Sequence, residues 1–155
     1  TAFGEAGEDL LRGGTGDDWR SGNELDDVIA GGEGDDDLYG GAGDDDLFGE
    51  EGDDELWGDR GDDLLNGGSG DNDHALYKSS IDEFSISLDA EGNVVLTDHV
   101  TEGQRNQPGW NPQEGRDTLV NVEWVTFGQG TTHEETLHIN TLRDRAQNGW
   151  TGDRV

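Results

Sequence analysis

The chain has 155 residues, with 38 acidic against 9 basic side chains and a formal net charge of −29. Such acidity argues against nucleic acid or anionic membrane as a partner, because Lys and Arg must neutralise the phosphates there. There is no cysteine, hence no disulfide framework and no thiol chemistry. No apolar run approaches the ~20 residues of a membrane span.

From Gly4 to Ala75 one nine-residue phrase is spoken eight times, beginning at Gly4, Gly13, Gly22, Gly31, Gly40, Gly49, Gly58 and Gly67. Its pattern is G-G-x-G-x-D-x-U-x, where U is a large apolar residue, and the clearest copies begin at Gly31 (GGEGDDDLY) and Gly40 (GGAGDDDLF). An acidic composition alone reads as a disordered run; a fixed spacing does not. Glycine at the first and fourth positions permits backbone angles that a side chain would forbid. Three residues then remain for a strand whose middle member points inward: Leu11, Ile29, Leu38, Leu47, Leu56 and Leu65. Two phrases make one coil, with a turn at each end. Stacked coils form two parallel sheets across a thin apolar seam, and residues 18 apart lie directly above one another.

That register decides the metal chemistry. The sixth position holds Asp9, Asp18, Asp27, Asp36, Asp45, Asp54 and Asp63. Stacking sets Asp27 over Asp9, Asp36 over Asp18, Asp45 over Asp27, Asp54 over Asp36 and Asp63 over Asp45. The carbonyls of Gly31, Gly32, Gly34, Gly40, Gly41, Gly43, Gly49, Gly52, Gly58, Gly61, Gly67 and Gly70 surround these carboxylates as further ligands. A cage made only of oxygen suits Ca²⁺; Mg²⁺ holds its water too tightly, and Zn²⁺ wants nitrogen or sulfur. The phrase resembles the calcium-binding nonapeptide of RTX (repeats-in-toxin) proteins. The fold expected is all-β: a right-handed parallel β-roll, two short parallel sheets with two nonapeptides per coil, over residues 4–77. A small β-rich cap follows over 78–140, then a flexible tail over 141–155. About five to seven Ca²⁺ ions are expected from the stacking. Residues 1–75 carry 25 acidic against 3 basic side chains, a net of −22. Without counter-ions the turns repel, so this half is expected to be disordered until calcium binds.

Several phrases depart from the pattern. The first has Glu5 at its second position, and the third has Leu25 where glycine belongs. The second places Arg20 at the inward position beside Trp19, so either the strand slips to bring Trp19 inward or Arg20 snorkels out at the open end. The first three repeats are therefore expected to be looser than those from Gly31 to Asn66. Tyr39 and Trp57, 18 apart, should stack on one outer face, as cross-strand packing or as a strip for a sugar or partner. In the eighth phrase a one-residue insertion makes Asp73 the ligand, turns Ala75 and Tyr77 inward and leaves His74 outward.

After Lys78 the repeats stop. Glu83–Leu88 alternates with Phe84, Ile86 and Leu88 on one side, and Val94–Thr97 completes a hairpin across the turn Glu91-Gly92-Asn93. A polar loop carrying Trp110 spans Glu102–Gly115. Thr118–Phe127 reads as a strand with Leu119, Val122, Val125 and Phe127 as core, and Thr136–Ile139 as a short last strand. The run from Asp117 to Glu123 matches a D-T-L-x-N-[VI]-E phrase. It resembles the segment after the repeats in many type I secreted RTX proteins, which implies a cap that covers the last coil and starts folding there.

No catalytic constellation emerges. His133 and His138 are five apart, not the four of a zinc-protease helix. Ser69, Ser79 and Ser80 lack a nucleophile motif, and identical carboxylates in repeated turns suit a structural array better than acid–base chemistry. The expected function is a calcium-responsive folding module, exported by type I secretion machinery and stabilising a larger extracellular protein, with no activity of its own. The opening in repeat phase suggests a piece of that larger protein. The alternative is a calcium-dependent adhesin or polysaccharide-binding module whose partner is a surface glycan or host ligand.

Overall fold

A computed structural model describes residues 1–99 and 115–149; the Trp110 loop and residues 150–155 lie outside them. The strands are β1 (Ala2–Phe3), β2 (Leu10–Thr15), β3 (Trp19–Glu24), β4 (Val28–Glu33), β5 (Asp37–Ala42), β6 (Asp46–Glu51), β7 (Glu55–Arg60), β8 (Leu64–Ser69) and β9 (His74–Leu76). There follow β10 (Phe84–Leu88), β11 (Val94–Asp98), β12 (Arg116–Val120), β13 (Trp124–Phe127), β14 (Glu135–His138) and the helix α1 (Ile139–Gln147). They form two seven-stranded sheets, ordered β1-β3-β5-β7-β9-β13-β14 and β10-β11-β12-β8-β6-β4-β2.

Successive phrases alternate between the sheets, so each strand pairs in parallel with the strand two phrases away. Leu38 lies over Leu56, and Leu47 over Leu65, each pair set apart by two full phrases. The expected coil is therefore observed. The strands are longer than the three residues expected, because pairing continues through the first glycines of the next phrase to give six residues in each of β2 to β8.

Inside, two columns face each other. One runs Leu11, Ile29, Leu47, Leu65, Leu119; the other runs Arg20, Leu38, Leu56, Ala75, Val125. Ile29, Leu38, Leu47, Leu56 and Leu65 are fully buried. The insertion in the eighth phrase is borne out: Ala75 pairs with Leu56, Tyr77 is buried, and His74 lies on the outer side.

Arg20 follows neither expected course. It keeps the register opposite Leu38 and is 6% exposed. Its guanidinium donates to the carbonyl oxygens of Trp19 at 3.1 Å and Arg12 at 3.4 Å, and pairs with Asp18 at 3.1 Å. Ligation by two carbonyls and a carboxylate is what makes a buried cation tolerable. Trp19 stays outside, in a row running Phe3, Trp19, Tyr39, Trp57, with ring centroids 4.9, 5.3 and 4.2 Å apart.

Register is unbroken through the first three repeats. Among the described residues, the exposed large apolar side chains Phe3, Leu10, Leu25 and Val28 all lie at this end.

Thr118–Phe127 is two strands, not one. Asn121, at φ 48°, turns the corner. β12 joins β8 in one sheet and β13 joins β9 in the other, both in parallel. The segment is thus a further coil of the roll, and the boundary expected after residue 77 is no break in the sheets. The hairpin β10–β11 adds to β12, and β14 adds antiparallel to β13.

The tail expected to be flexible from residue 141 is instead helical as far as Gln147. Ile139 and Leu142 are buried, and His138 Nδ1 caps the helix by accepting the Asn140 N–H at 3.2 Å.

Leu25 occupies a glycine position at φ 73° and is 57% exposed, so its side chain contributes strain without packing. Leu25→Gly is expected to stabilise the calcium-loaded protein by about 1 kcal/mol, read as a higher urea midpoint with unchanged slope.

Candidate metal centre

Each turn delivers its sixth-position aspartate to the same place, and the backbone holds it there. The main-chain N–H of Asp9 donates to Asp27 Oδ1 at 2.7 Å, that of Asp27 to Asp45 Oδ1 at 2.8 Å, and that of Asp45 to Asp63 Oδ1 at 2.9 Å. On the other edge, Asp18 donates to Asp36 at 2.7 Å, Asp36 to Asp54 at 2.8 Å and Asp54 to Asp73 at 2.8 Å. The result is two rails of carboxylates, one along each edge of the roll. The last step spans 19 residues, where the inserted residue falls.

Asp27, Asp36, Asp45, Asp54, Asp63 and Asp73 are all at most 2% exposed. In every one the second oxygen, Oδ2, has no hydrogen-bond partner. Asp9 and Asp18, at the open end, are less buried, and Asp18 already has the Arg20 guanidinium as a counter-ion.

The glycines play two different parts, and the first-position ones are not there for backbone angles. Left-handed φ belongs to the second and fourth positions: Gly32 124°, Gly34 124°, Gly41 121°, Gly43 143°, Gly52 134° and Gly61 132°. The first-position glycines Gly31, Gly40, Gly49 and Gly58 leave room instead. A Cβ on Gly31 would lie 2.1 Å from Asp36 Oδ2 and 2.8 Å from the Gly49 carbonyl oxygen. On Gly40 it would meet Asp45 Oδ2 at 2.4 Å and Gly58 O at 2.8 Å, and on Gly49, Asp54 Oδ2 at 2.0 Å and Gly67 O at 2.4 Å. At each of these three glycines an unpartnered carboxylate oxygen and a carbonyl oxygen of the next coil thus border the space that a Cβ would fill. The fourth-position glycines stack as a separate column: a Cβ on Gly52 would meet Gly34 O at 2.1 Å, one on Gly61 Gly43 O at 1.9 Å, and one on Gly70 Gly52 O at 2.1 Å.

Burial pushes Asp45 and Asp73 up to about 6, and Asp54 and Asp63 up to about 7. The rung N–H works against this, and neighbouring carboxylates add to it. Such groups want a cation or a proton. Among the described residues no three acidic or histidine side chains converge on one point, so carbonyl or water oxygens would have to complete any cage. Carboxylate plus carbonyl oxygen, with no sulfur in reach, fits calcium.

Two features escaped the reading by spacing. Fifth-position aspartates form two outer, exposed rails of opposite sense: Asp35, Asp53, Asp44 and Asp62 donate from their main-chain N–H to Oδ1 of Asp17, Asp35, Asp26 and Asp44, at 2.9–3.2 Å. The doublets at positions five and six were the visible signal. The inner rails do not stop with the repeats either: the Asp63 N–H donates to Asp117 Oδ1 and the Asp73 N–H to Glu123 Oε2, both at 3.0 Å. The sequence Gly115-Arg116-Asp117-Thr118-Leu119 keeps the second half of the phrase and could have shown this.

The sequence profile of the RTX calcium-binding nonapeptide repeat (4 copies) matches residues 1–19, 21–56 and 47–73. With a two-sheet solenoid that takes two nonapeptides per coil, this decides the matter. The repeats form an RTX β-roll. No curated protein matches the chain. RTX repeats are a structural calcium-binding module typical of secreted bacterial proteins. Among the described residues, no helix is long and apolar enough to cross a membrane.

Gly49→Ala is expected to push Asp54 out of place and raise the calcium needed for half-saturation by about 10–100-fold, measured by calorimetric titration. The raised carboxylate values set a pH dependence. The folded state holds protons up to about 6–7 at Asp45, Asp54, Asp63 and Asp73, whereas an unfolded aspartate releases its proton near 4. Metal-free stability is therefore greatest below about 4 and is lost as pH rises through about 7. Circular dichroism in metal-free buffer should show more β structure at pH 4 than at pH 8.

Proposed function

We propose that this chain is a calcium-driven folding module, unfolded where calcium is scarce and folded after export, where it stabilises the larger extracellular protein it belongs to. The observation that carries this reading is the row of six buried carboxylates, each with one oxygen that no protein group satisfies. Burying such charges unpaired costs several kcal/mol per ion, and one apolar side chain per nonapeptide is a thin core against that. Divalent cations remove the penalty, so binding energy becomes folding energy. The two rails offer six successive aspartate pairs within the repeats, in keeping with five to seven ions. An extracellular concentration of about 10⁻⁴–10⁻³ M suits such modules. A chain kept unfolded by low calcium is the form a type I secretion machine threads, and that machinery is the proposed partner during export.

The adhesin or polysaccharide reading draws on the aromatic row. A sugar stacks on an open ring face, but Tyr39 and Trp57 lie parallel, at 6° and 4.2 Å, and spend those faces on each other. Trp57 is 5% exposed and its Nε1–H donates to Gln129 Oε1 at 3.0 Å. The row is cross-strand packing, and the folding module is the better reading.

A circular dichroism titration at pH 7.5 tests it. Calcium is expected to convert a disordered spectrum to a β spectrum, chelator to reverse it, and magnesium at the same concentration to leave it disordered. A β spectrum unchanged by chelator would refute the proposal.

A further inference from the structure

We propose that the segment after the repeats contributes metal ligands of its own, so that calcium bonds the cap to the roll at two composite sites. This rests on the calcium reading above and extends it to residues outside the nonapeptides.

The first composite site joins Asp63 to Asp117, 54 residues apart. Asp117 Oδ1 accepts the Asp63 N–H at 3.0 Å, as Asp63 Oδ1 accepts that of Asp45 at 2.9 Å. The backbone repeats the fit as well. A Cβ on Gly115 would lie 1.9 Å from Gly61 O and 2.9 Å from Asp62 Oδ1; one on Gly61 would lie 1.9 Å from Gly43 O and 3.1 Å from Asp44 Oδ1. The Arg116 N–H continues one outer rail by donating to Asp62 Oδ1 at 2.9 Å. Asp63 is 2% exposed, and its Oδ2 has no hydrogen-bond partner.

The second joins Asp73 to Glu123. Glu123 Oε2 takes the rung from the Asp73 N–H at 3.0 Å, its longer side chain spanning what an aspartate spans elsewhere. A Cβ on Gly67 would lie 2.5 Å from Asp73 Oδ2 and 2.4 Å from the Asn121 carbonyl oxygen. Asn121 thus places its carbonyl where Gly67 places its own against Gly49. Asp73 is fully buried with Oδ2 unpartnered. Each site therefore has what the repeat sites have: a buried orphan oxygen, a carboxylate one coil on, and, at the second, a turn carbonyl.

The consequence is that cap and roll share ions. The cap docks fully only when calcium is bound, and the last repeats hold their ions fully only when the cap is in place.

The test counts bound ions by native mass spectrometry, and the calcium for half-folding by circular dichroism, in the full chain. Asp117→Asn and Glu123→Gln keep an oxygen acceptor for the rung but lose the charge. Each is expected to bind one ion fewer at saturation, or to need about tenfold more calcium for half-folding, and the double variant to combine both losses. Asp53→Asn, on an exposed outer rail, should leave the inner-rail ions bound and serves as control. Asp117→Leu and Glu123→Leu remove rung and charge together. If only the Leu variants weaken calcium binding, while Asn and Gln match wild type in count and midpoint, the two carboxylates are rungs alone and the inference falls. If wild type itself binds no calcium, the calcium reading falls and takes this inference with it.

Discussion

The structure turns on half-satisfied carboxylates. Each buried aspartate of the rails gives one oxygen to a main-chain N–H of the neighbouring coil and keeps the other unsatisfied. The first half of that arrangement locks the coil spacing. The second half makes the spacing costly unless a cation arrives, because an uncompensated charge in a low-dielectric corner repels its neighbours above and below. The residues that set the geometry are thus the same ones that would hold a calcium ion under the proposed function.

The rest of the architecture serves that corner. First-position glycines leave the volume that the carboxylate fills; second- and fourth-position glycines take the left-handed angles that bring the chain round. The seam between sheets is only one side chain deep on each face, so it aligns the coils more than it stabilises them. Towards the N-terminal end Arg20 supplies a fixed positive charge within the seam, bound to Asp18 and to two carbonyls. At the other end the chain returns through β12 and β13 to add one more coil, and the hairpin β10–β11, β14 and α1 cover what would otherwise be open edges.

Much of this is legible in the sequence because a solenoid turns sequence period into spatial distance. Spacing alone places Asp36 over Asp18 and Leu56 over Leu38, and finds the insertion that makes Asp73 a rail member. What it does not show is set by neighbours rather than by period. Gly31 is glycine because of where Asp36 puts its carboxylate, which no propensity reveals. Asp117 and Glu123 join the rails across 54 and 50 residues, and the period of two phrases does not carry across that gap. Arg20 looks like a misfit because, besides Asp18, its ligands are backbone carbonyls, invisible as residue types. The helix at Ile139–Gln147 is hard to see because its apolar face is only Ile139, Leu142 and Ala146, a sparse i, i+3, i+7 pattern in a polar segment.

At the centre stand the rung amides themselves: under the proposed function, the N–H groups of Asp27, Asp36, Asp45 and Asp54 stay bonded to the next carboxylate only while a cation balances the charge. Residue-resolved hydrogen exchange at neutral pH reads them directly. Strong protection of these amides is expected in calcium, with its collapse, all together, on adding chelator. Equal protection in both conditions would show that the carboxylate rails hold without metal, and would contradict the calcium requirement.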